Sequence, residues 1–238
     1  TQRGSPLRGS LLLIPSMLAI FWLQPATPIR FLDFWLPVLT LGITIFSWLF
    51  TAETPQKRNR QTFITGLVMV IMVLVIALTR YLSLDGLITA NRPPQTTQVL
   101  VGLVVLAGLA ALLGWLGKST SRQQTVGILA LLILFVILKL PDVTQWLSGV
   151  VRGWVGQSTT NASALDIRWL GFSYVAFRLI HTLRDRQAGR LPAVGLRDYI
   201  NYVIFFPAIS AGPIDRIQRF IKDAEQPVSI DVTSFGIA

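Results

Sequence analysis

The stretch Asp198-Tyr199-Ile200-Asn201-Tyr202-Val203-Ile204-Phe205-Phe206-Pro207-Ala208-Ile209-Ser210-Ala211-Gly212-Pro213-Ile214-Asp215-Arg216 decides the fold. Its apolar part, Tyr199 to Ala211, carries no charge and runs for only 13 residues. At about 1.5 Å per residue this gives roughly 20 Å of helix, short of the roughly 30 Å hydrocarbon core that takes about 20 apolar residues to cross. Pro207 and Pro213 each remove an N–H donor and clash with the carbonyl four residues back, so a straight helix is not expected. Gly212 permits a turn that other residues resist. Broken backbone at membrane depth survives only where protein or a water-filled cavity satisfies the freed groups. The stretch reads as a re-entrant, broken helix that lines a cavity.

The rest of the chain agrees with a membrane setting. It has 238 residues, 52% hydrophobic and 13% charged, with mean hydropathy +0.59. Soluble domains carry about 25% charged residues. The net charge of +10 could suggest nucleic acid. The basic residues, however, sit in short loops between apolar runs, so no nucleic-acid partner is expected and membrane lipid is. Without cysteine there is no disulfide, thiolate nucleophile or Cys-ligated zinc, and one histidine precludes a multi-His metal site.

Working back from the opening stretch, Phe205 to Phe220 (FFPAISAGPIDRIQRF) resembles the FFP-x-x-x-AGPI-x-R-x-x-x-F signature of the membrane-bound O-acyltransferase family. The likeness is strongest to its bacterial branch of alginate O-acetylation and teichoic-acid D-alanylation. Gly171-Phe172-Ser173-Tyr174 through Phe177 to Asp185 resembles that family's G-[IF]-S-[FY]-x-x-F helix, which ends in Asp. Together the two motifs cover roughly residues 165–222. The resemblance implies transfer of an acyl group from a thioester donor, acyl-coenzyme A or an acyl carrier protein, to a hydroxyl of a cell-envelope polysaccharide. It implies no bound cofactor and no metal. It also places the catalytic histidine in a helix after the AGPI motif, which makes this chain resemble the N-terminal part of a longer acyltransferase fold.

Apolar runs without internal charge lie at Leu11–Leu23, Phe34–Ala52, Phe63–Leu78, Val99–Leu116 and Val126–Leu138. A sixth span over about Leu165–Leu183 is the first to carry charge inside. Ala107/Ala111 and Ala110/Gly114 have the spacing that lets helix backbones approach in lipid, read as packing within one bundle. Pro141-Asp142 ends the fifth span, with Asp142 expected as the N-cap of an amphipathic interfacial helix carrying Trp146 and Trp154. Asp215/Arg219 and Arg219/Asp223 at i,i+4 predict a short surface helix. With the N-terminus cytoplasmic, one side collects Arg3, Arg8, Lys57, Arg58, Arg60, Lys118, Arg122, Arg184, Arg186, Arg190 and Arg197. The other collects Arg30, Arg80, Arg92, Lys139, Arg152 and Arg168. Eleven against six favours this orientation, and the resemblance implies a bacterial inner membrane.

Arg178, His181, Thr182 and Asp185 fall at i, i+3, i+4 and i+7 on one helical stripe. A charge at mid-bilayer costs at least about 2.5–3.5 kcal/mol, so Arg178 is expected to face protein or a cavity. Ser173, Arg178, His181, Phe205, Phe206, Pro207, Gly212 and Pro213 are the candidates to line a substrate tunnel. His181 is a candidate base for acyl transfer, but the resemblance places that role elsewhere. Ser173 has no nucleophile elbow around it and is expected to bond a carbonyl of its own helix.

The expectation is one all-α polytopic membrane domain over residues 1–238, with about six spans, an interfacial helix and a re-entrant element. Two other readings stay open. One is a non-catalytic, acyltransferase-derived subunit of a larger membrane complex. The other is a transporter, for which no inverted repeat is visible.

Overall fold

The computed structural model describes residues 6–82, 88–115, 119–209, 212 and 215–225. Arg3, Lys118, Ser210, Ala211 and Pro213 lie outside the described residues. Ten α-helices and three short 3₁₀ turns make up the described chain, with no strand among them. In order they are α1 (Pro6–Trp22), α2 (Leu32–Thr51), the single turn α3 (Thr54–Lys57), α4 (Arg60–Leu78) and α5 (Thr96–Trp115). Then follow α6 (Ser121–Ile137), α7 (Pro141–Trp154), α8 (Phe172–Gln187), α9 (Leu196–Val203) and α10 (Ile217–Glu225).

Three of these, α2, α4 with its 3₁₀ extension to Tyr81, and α5, are long and apolar enough to cross a membrane. A fourth appears only if α6 and α7 are taken as one span bent by 94°. The expected count of six is therefore corrected to three or four. The described apolar part of α1 is the short helix Leu12–Trp22. The sixth expected span fails for a local reason: Leu165–Gly171 is not helical, and α8 begins only at Phe172. The Asp166 carboxylate accepts the Ser163 N–H at 3.2 Å, the Ser148 hydroxyl at 2.6 Å and Arg152 Nε at 2.8 Å. This buried cluster ties the segment back onto α7. Burial alone would raise the Asp166 carboxyl, but the bonds from Arg152, Ser148 and Ser163 outweigh it and hold it below the ordinary carboxylate value.

Local signals set the helix ends. Asn59 caps α4 by accepting the Gln61 N–H, and Thr120 and Gln123 form a reciprocal capping box on α6. Asp142 does not cap α7. Leu140 is the N-cap, Pro141 takes the first helical position, and Asp142 lies in the first turn, where the helix dipole favours an anion. At the α6–α7 bend the Thr144 hydroxyl lies 2.8 Å from the Ile137 carbonyl and 2.9 Å from that of Leu140, serving groups the bend would otherwise orphan.

The helix α2 is the hub, packed against α1, α5, α6, α8 and α9. Its buried face carries Thr40, Thr44, Ser47 and Thr51, a heptad-like spacing of hydroxyls inside an otherwise apolar helix. By contrast, α5 buries only Val99. It meets α2 where Gly102 sits under the Trp35 ring, too close for any side chain there. Of its small residues, Ala110 packs against the core, while Ala107 and Ala111 are exposed.

Candidate functional site

The two motif segments meet in space. The helix α9 stops at Val203, four residues before Pro207, and a 3₁₀ turn spans Phe206–Ala208. Pro207 has no N–H to offer the Val203 carbonyl, which is the bond a continued helix would need. Arg178 supplies it. From α8 its Nη1 donates to Val203 O at 2.8 Å and its Nη2 donates to Ala208 O at 2.8 Å. One planar guanidinium thus bridges both sides of the break, a geometry that suits its fixed fork of donors. Arg178 is 2% exposed, and its guanidinium carbon lies 5.9 Å from the Tyr202 ring centroid.

The glycine that opens the other motif contributes a close approach. Gly171 N-caps α8 with φ 64°, and a Cβ there would lie 2.5 Å from the Ile209 carbonyl oxygen. Only glycine accepts both the left-handed backbone and that contact. Gly212 lies equally close against Ala208. Every residue from Tyr199 to Ile204 is buried, so the broken element runs through protein, as a backbone break away from water requires.

Polar groups continue from this junction onto α2. The Tyr199 hydroxyl, fully buried, sits 2.9 Å from Ser47 Oγ and 2.6 Å from Thr182 Oγ1. Thr44 donates to Thr40 O at 2.7 Å, and Trp169 Nε1 donates to Thr40 Oγ1 at 2.8 Å. Trp48 Nε1 donates to Val194 O at 3.0 Å, fixing the loop before α9. On the far side of the break, the Tyr202 hydroxyl donates to Asp215 O at 2.7 Å. Phe220 of α10 packs edge-on to Tyr202 and Phe205.

The stripe read from the sequence splits. Arg178, Thr182 and Asp185 are buried, whereas His181 is exposed, with no hydrogen-bond partner among the described residues. At 100° per residue His181 stands about 60° from Arg178, on the side away from Thr182 and the apolar face of Val175, Leu179 and Leu183. Ser173 lies half-buried in the first turn of α8 without the expected bond to a carbonyl. Phe205 is half-buried, Phe206 and Pro207 are exposed, and Gly212 is intermediate. The structure therefore brings Arg178, Phe205, Pro207 and Gly212 into one junction and leaves His181 outside it.

Thr182 of the stripe joins the junction, and Gly171, Ser47 and Tyr199 complete it from outside the candidate set. The regular hydroxyl spacing along α2 was the available signal, since serine and threonine on one face of a span bond across helices. Among the described residues no group of three or more His, Asp or Glu comes together that could hold a metal.

Comparison with known proteins gives partial matches of one kind. The chain is 40% identical over 58 residues to the teichoic acid D-alanyltransferase of Lacticaseibacillus rhamnosus, covering 24% of this chain and 14% of the relative. It is 38% identical over 61 residues to that of Bacillus subtilis (strain 168), covering 25% and 15%. It is 31% identical over 67 residues to that of Streptococcus thermophilus, covering 28% and 16%. The matched stretch thus spans about one seventh of the length of these relatives. No family model matches the chain, and no solved structure matches it significantly.

Proposed function

We propose that this chain belongs to a membrane O-acyltransferase, within which the α8–α9 junction forms one wall of the substrate path. The observation that carries the reading is the match to three teichoic acid D-alanyltransferases. The reaction is attack of an acceptor hydroxyl oxygen on a thioester carbonyl. A C–O bond forms, the C–S bond breaks, the thiolate leaves and a base takes the hydroxyl proton. The donor is a D-alanyl or other acyl thioester of a carrier protein or coenzyme A, and the acceptor is a cell-envelope polymer. Membrane lipid and further subunits of a membrane complex are the remaining partners. No bound cofactor is called for by this chemistry.

In this reading Arg178 is a positioning residue. It fixes the broken helix so that Phe205, Phe206 and Pro207 shape the path while Gly212 lets a substrate pass close to the backbone. The broken helix is re-entrant, α7 lies in the interface with its tryptophans at headgroup level, and the N-terminus is cytoplasmic in a bacterial inner membrane. His181 is not the base, because it faces away from the junction.

The test uses membranes carrying the full gene product, radiolabelled D-alanyl carrier thioester and teichoic acid. Alkali-labile label should appear on the polymer, persist in His181→Ala and fall at least tenfold in Arg178→Met. Absence of label with both D-alanyl and acetyl thioesters would sink the reading. The alternative of a non-catalytic subunit is decided on the same membranes: label that appears only when a separate acyltransferase is added would support it.

A further inference from the structure

Away from the junction, α2, α4 and α5 enclose a cleft of about 790 Å³. Its size falls within the roughly 300–1,000 Å³ of small-molecule sites. The walls are apolar, Leu41, Ile45, Met69 and Leu106 among them, and the cleft opens outward where Phe63, Leu67 and Ala111 are exposed. One end is different. There Lys57 and Arg58 line the mouth beside Trp115. Arg58 is exposed and forms no ion pair among the described residues, and the carboxylate of the adjoining turn, Glu53, is bonded to Arg186 at 3.2 Å.

Length sharpens the picture. The cleft runs along α4 from Thr62 to Val73 and along α2 from Leu49 back to Val38, eleven residue steps in each case. At about 1.5 Å per residue that is roughly 16 Å. A hydrocarbon core of about 30 Å gives each leaflet roughly 15 Å. The cleft therefore reaches from a basic, tryptophan-marked mouth to the mid-plane, the dimensions of one leaflet. Trp115 at the mouth is 84% exposed, where headgroups favour an indole.

We infer that this cleft is a binding site for an anionic phospholipid, with an acyl chain between α4 and α5 and the headgroup phosphate against Arg58. Charge complementarity selects the occupant: an apolar groove alone would take any chain, but the exposed Arg58 at its mouth, with Glu53 already engaged by Arg186, selects an anionic head. The inference rests on the chain spanning a membrane and not on acyl transfer. Gly66 sets the depth of the groove, because a Cβ there would meet nothing within 4 Å. A leucine at that position would fill the space the chain occupies.

Native mass spectrometry of the full gene product, with equal additions of phosphatidylglycerol and phosphatidylcholine of matched chains, tests it. Wild type should retain phosphatidylglycerol over phosphatidylcholine by more than about five-fold, the factor expected of one basic residue near an anionic headgroup. Arg58→Gln should lose about five-fold of that preference and still retain lipid. Gly66→Leu should retain neither lipid while keeping wild-type gel-filtration behaviour. Equal retention of both lipids by wild type, or unchanged phosphatidylglycerol binding in both variants, overturns the site. A disulfide-linked dimer through Gly66→Cys, or protection of that cysteine from lipid-soluble maleimide after delipidation, would assign the cleft to a second copy or to another segment and overturn it equally. D-alanylation is scored on the same membranes, so its loss alone counts against the proposed function and not against the lipid site.

Discussion

The helices α5 and α8 are built by opposite rules. Along its 20 residues α5 carries no charge, and it buries one residue. Within 16 residues α8 carries Arg178, Arg184, Asp185 and Arg186 and buries eight side chains. Hydropathy alone locates α5, and a single exposed bond from Thr96 to the Tyr81 hydroxyl at 3.3 Å is its polar tie among the described residues; the Trp35 ring over Gly102 and a few side chains hold it to α2. Too short and polar to be found as a span, α8 is fixed at many points by bonds of known length. In lipid, apolar surface gives little reason for helices to associate, so position must come from packing and hydrogen bonds. The comparison predicts that sensitivity to substitution follows bonds and not burial of carbon.

Arg178→Ala should have the largest effect. It removes two charge-assisted bonds to carbonyls that the break leaves otherwise unserved, each worth about 1.5–3 kcal/mol. A loss of about 3–5 kcal/mol is expected, read as a lowered midpoint in thermal unfolding followed by tryptophan fluorescence in detergent. Arg178→Lys should recover less than half, since one ammonium cannot span both carbonyls in a fixed plane. Full recovery by lysine would break the bridging account.

Next comes Gly171→Ala, which forces a side chain into the left-handed region and against the Ile209 oxygen. About 2–3 kcal/mol is expected, with α8 or the Ile209 loop displaced. Midpoints within a degree of wild type would remove the close approach from the explanation.

Tyr199→Phe sharpens the comparison on the α2 side. Removing the hydroxyl between Ser47 and Thr182 should cost about 1–2 kcal/mol, because both partners stay buried. A double-mutant cycle with Ser47→Ala should show coupling; additivity would mean the two hydroxyls act independently.

The control is Val104→Ala on α5, 70% exposed, for which a change within about 0.5 kcal/mol is expected. A loss matching that of Tyr199→Phe would abolish the distinction between the two helices.

Much of the α8–α9 junction was legible before the structure. Pro207 marked the break, the cost of an unpaired charge turned Arg178 inward, and the Asp215, Arg219 and Asp223 spacing appears as two ion pairs that Arg219 of α10 makes with Asp215 and Asp223. What the residues did not disclose was who would serve the freed Val203 carbonyl, because that partner lies 25 residues away on another helix. His181 was misplaced because i,i+3 spacing fixes a face only to within about 60°, and the edge of the buried arc falls inside that margin. The span count failed at Leu165–Gly171: its charges Asp166 and Arg168 read as charges inside a span, whereas Asp166 anchors a loop by holding Ser163, Ser148 and Arg152.

The 94° turn at Pro141 acts as a keel. It lays α7 across the end of the bundle where Gln157 bonds Arg30 N and Pro28 O, the end that also holds Trp22. Trp146 and Trp154 stand exposed there at 68% and 83%, and Trp115 stands exposed at the opposite end. Indole rings thus stand exposed at both ends of a body whose α5 measures about 30 Å at 1.5 Å per residue. Because α7 is pinned by Arg152 to Asp166, just ahead of α8, any displacement of α7 would pull on the segment that leads into Gly171 and, through it, on the broken helix. The bend thereby couples one end of the bundle mechanically to the junction.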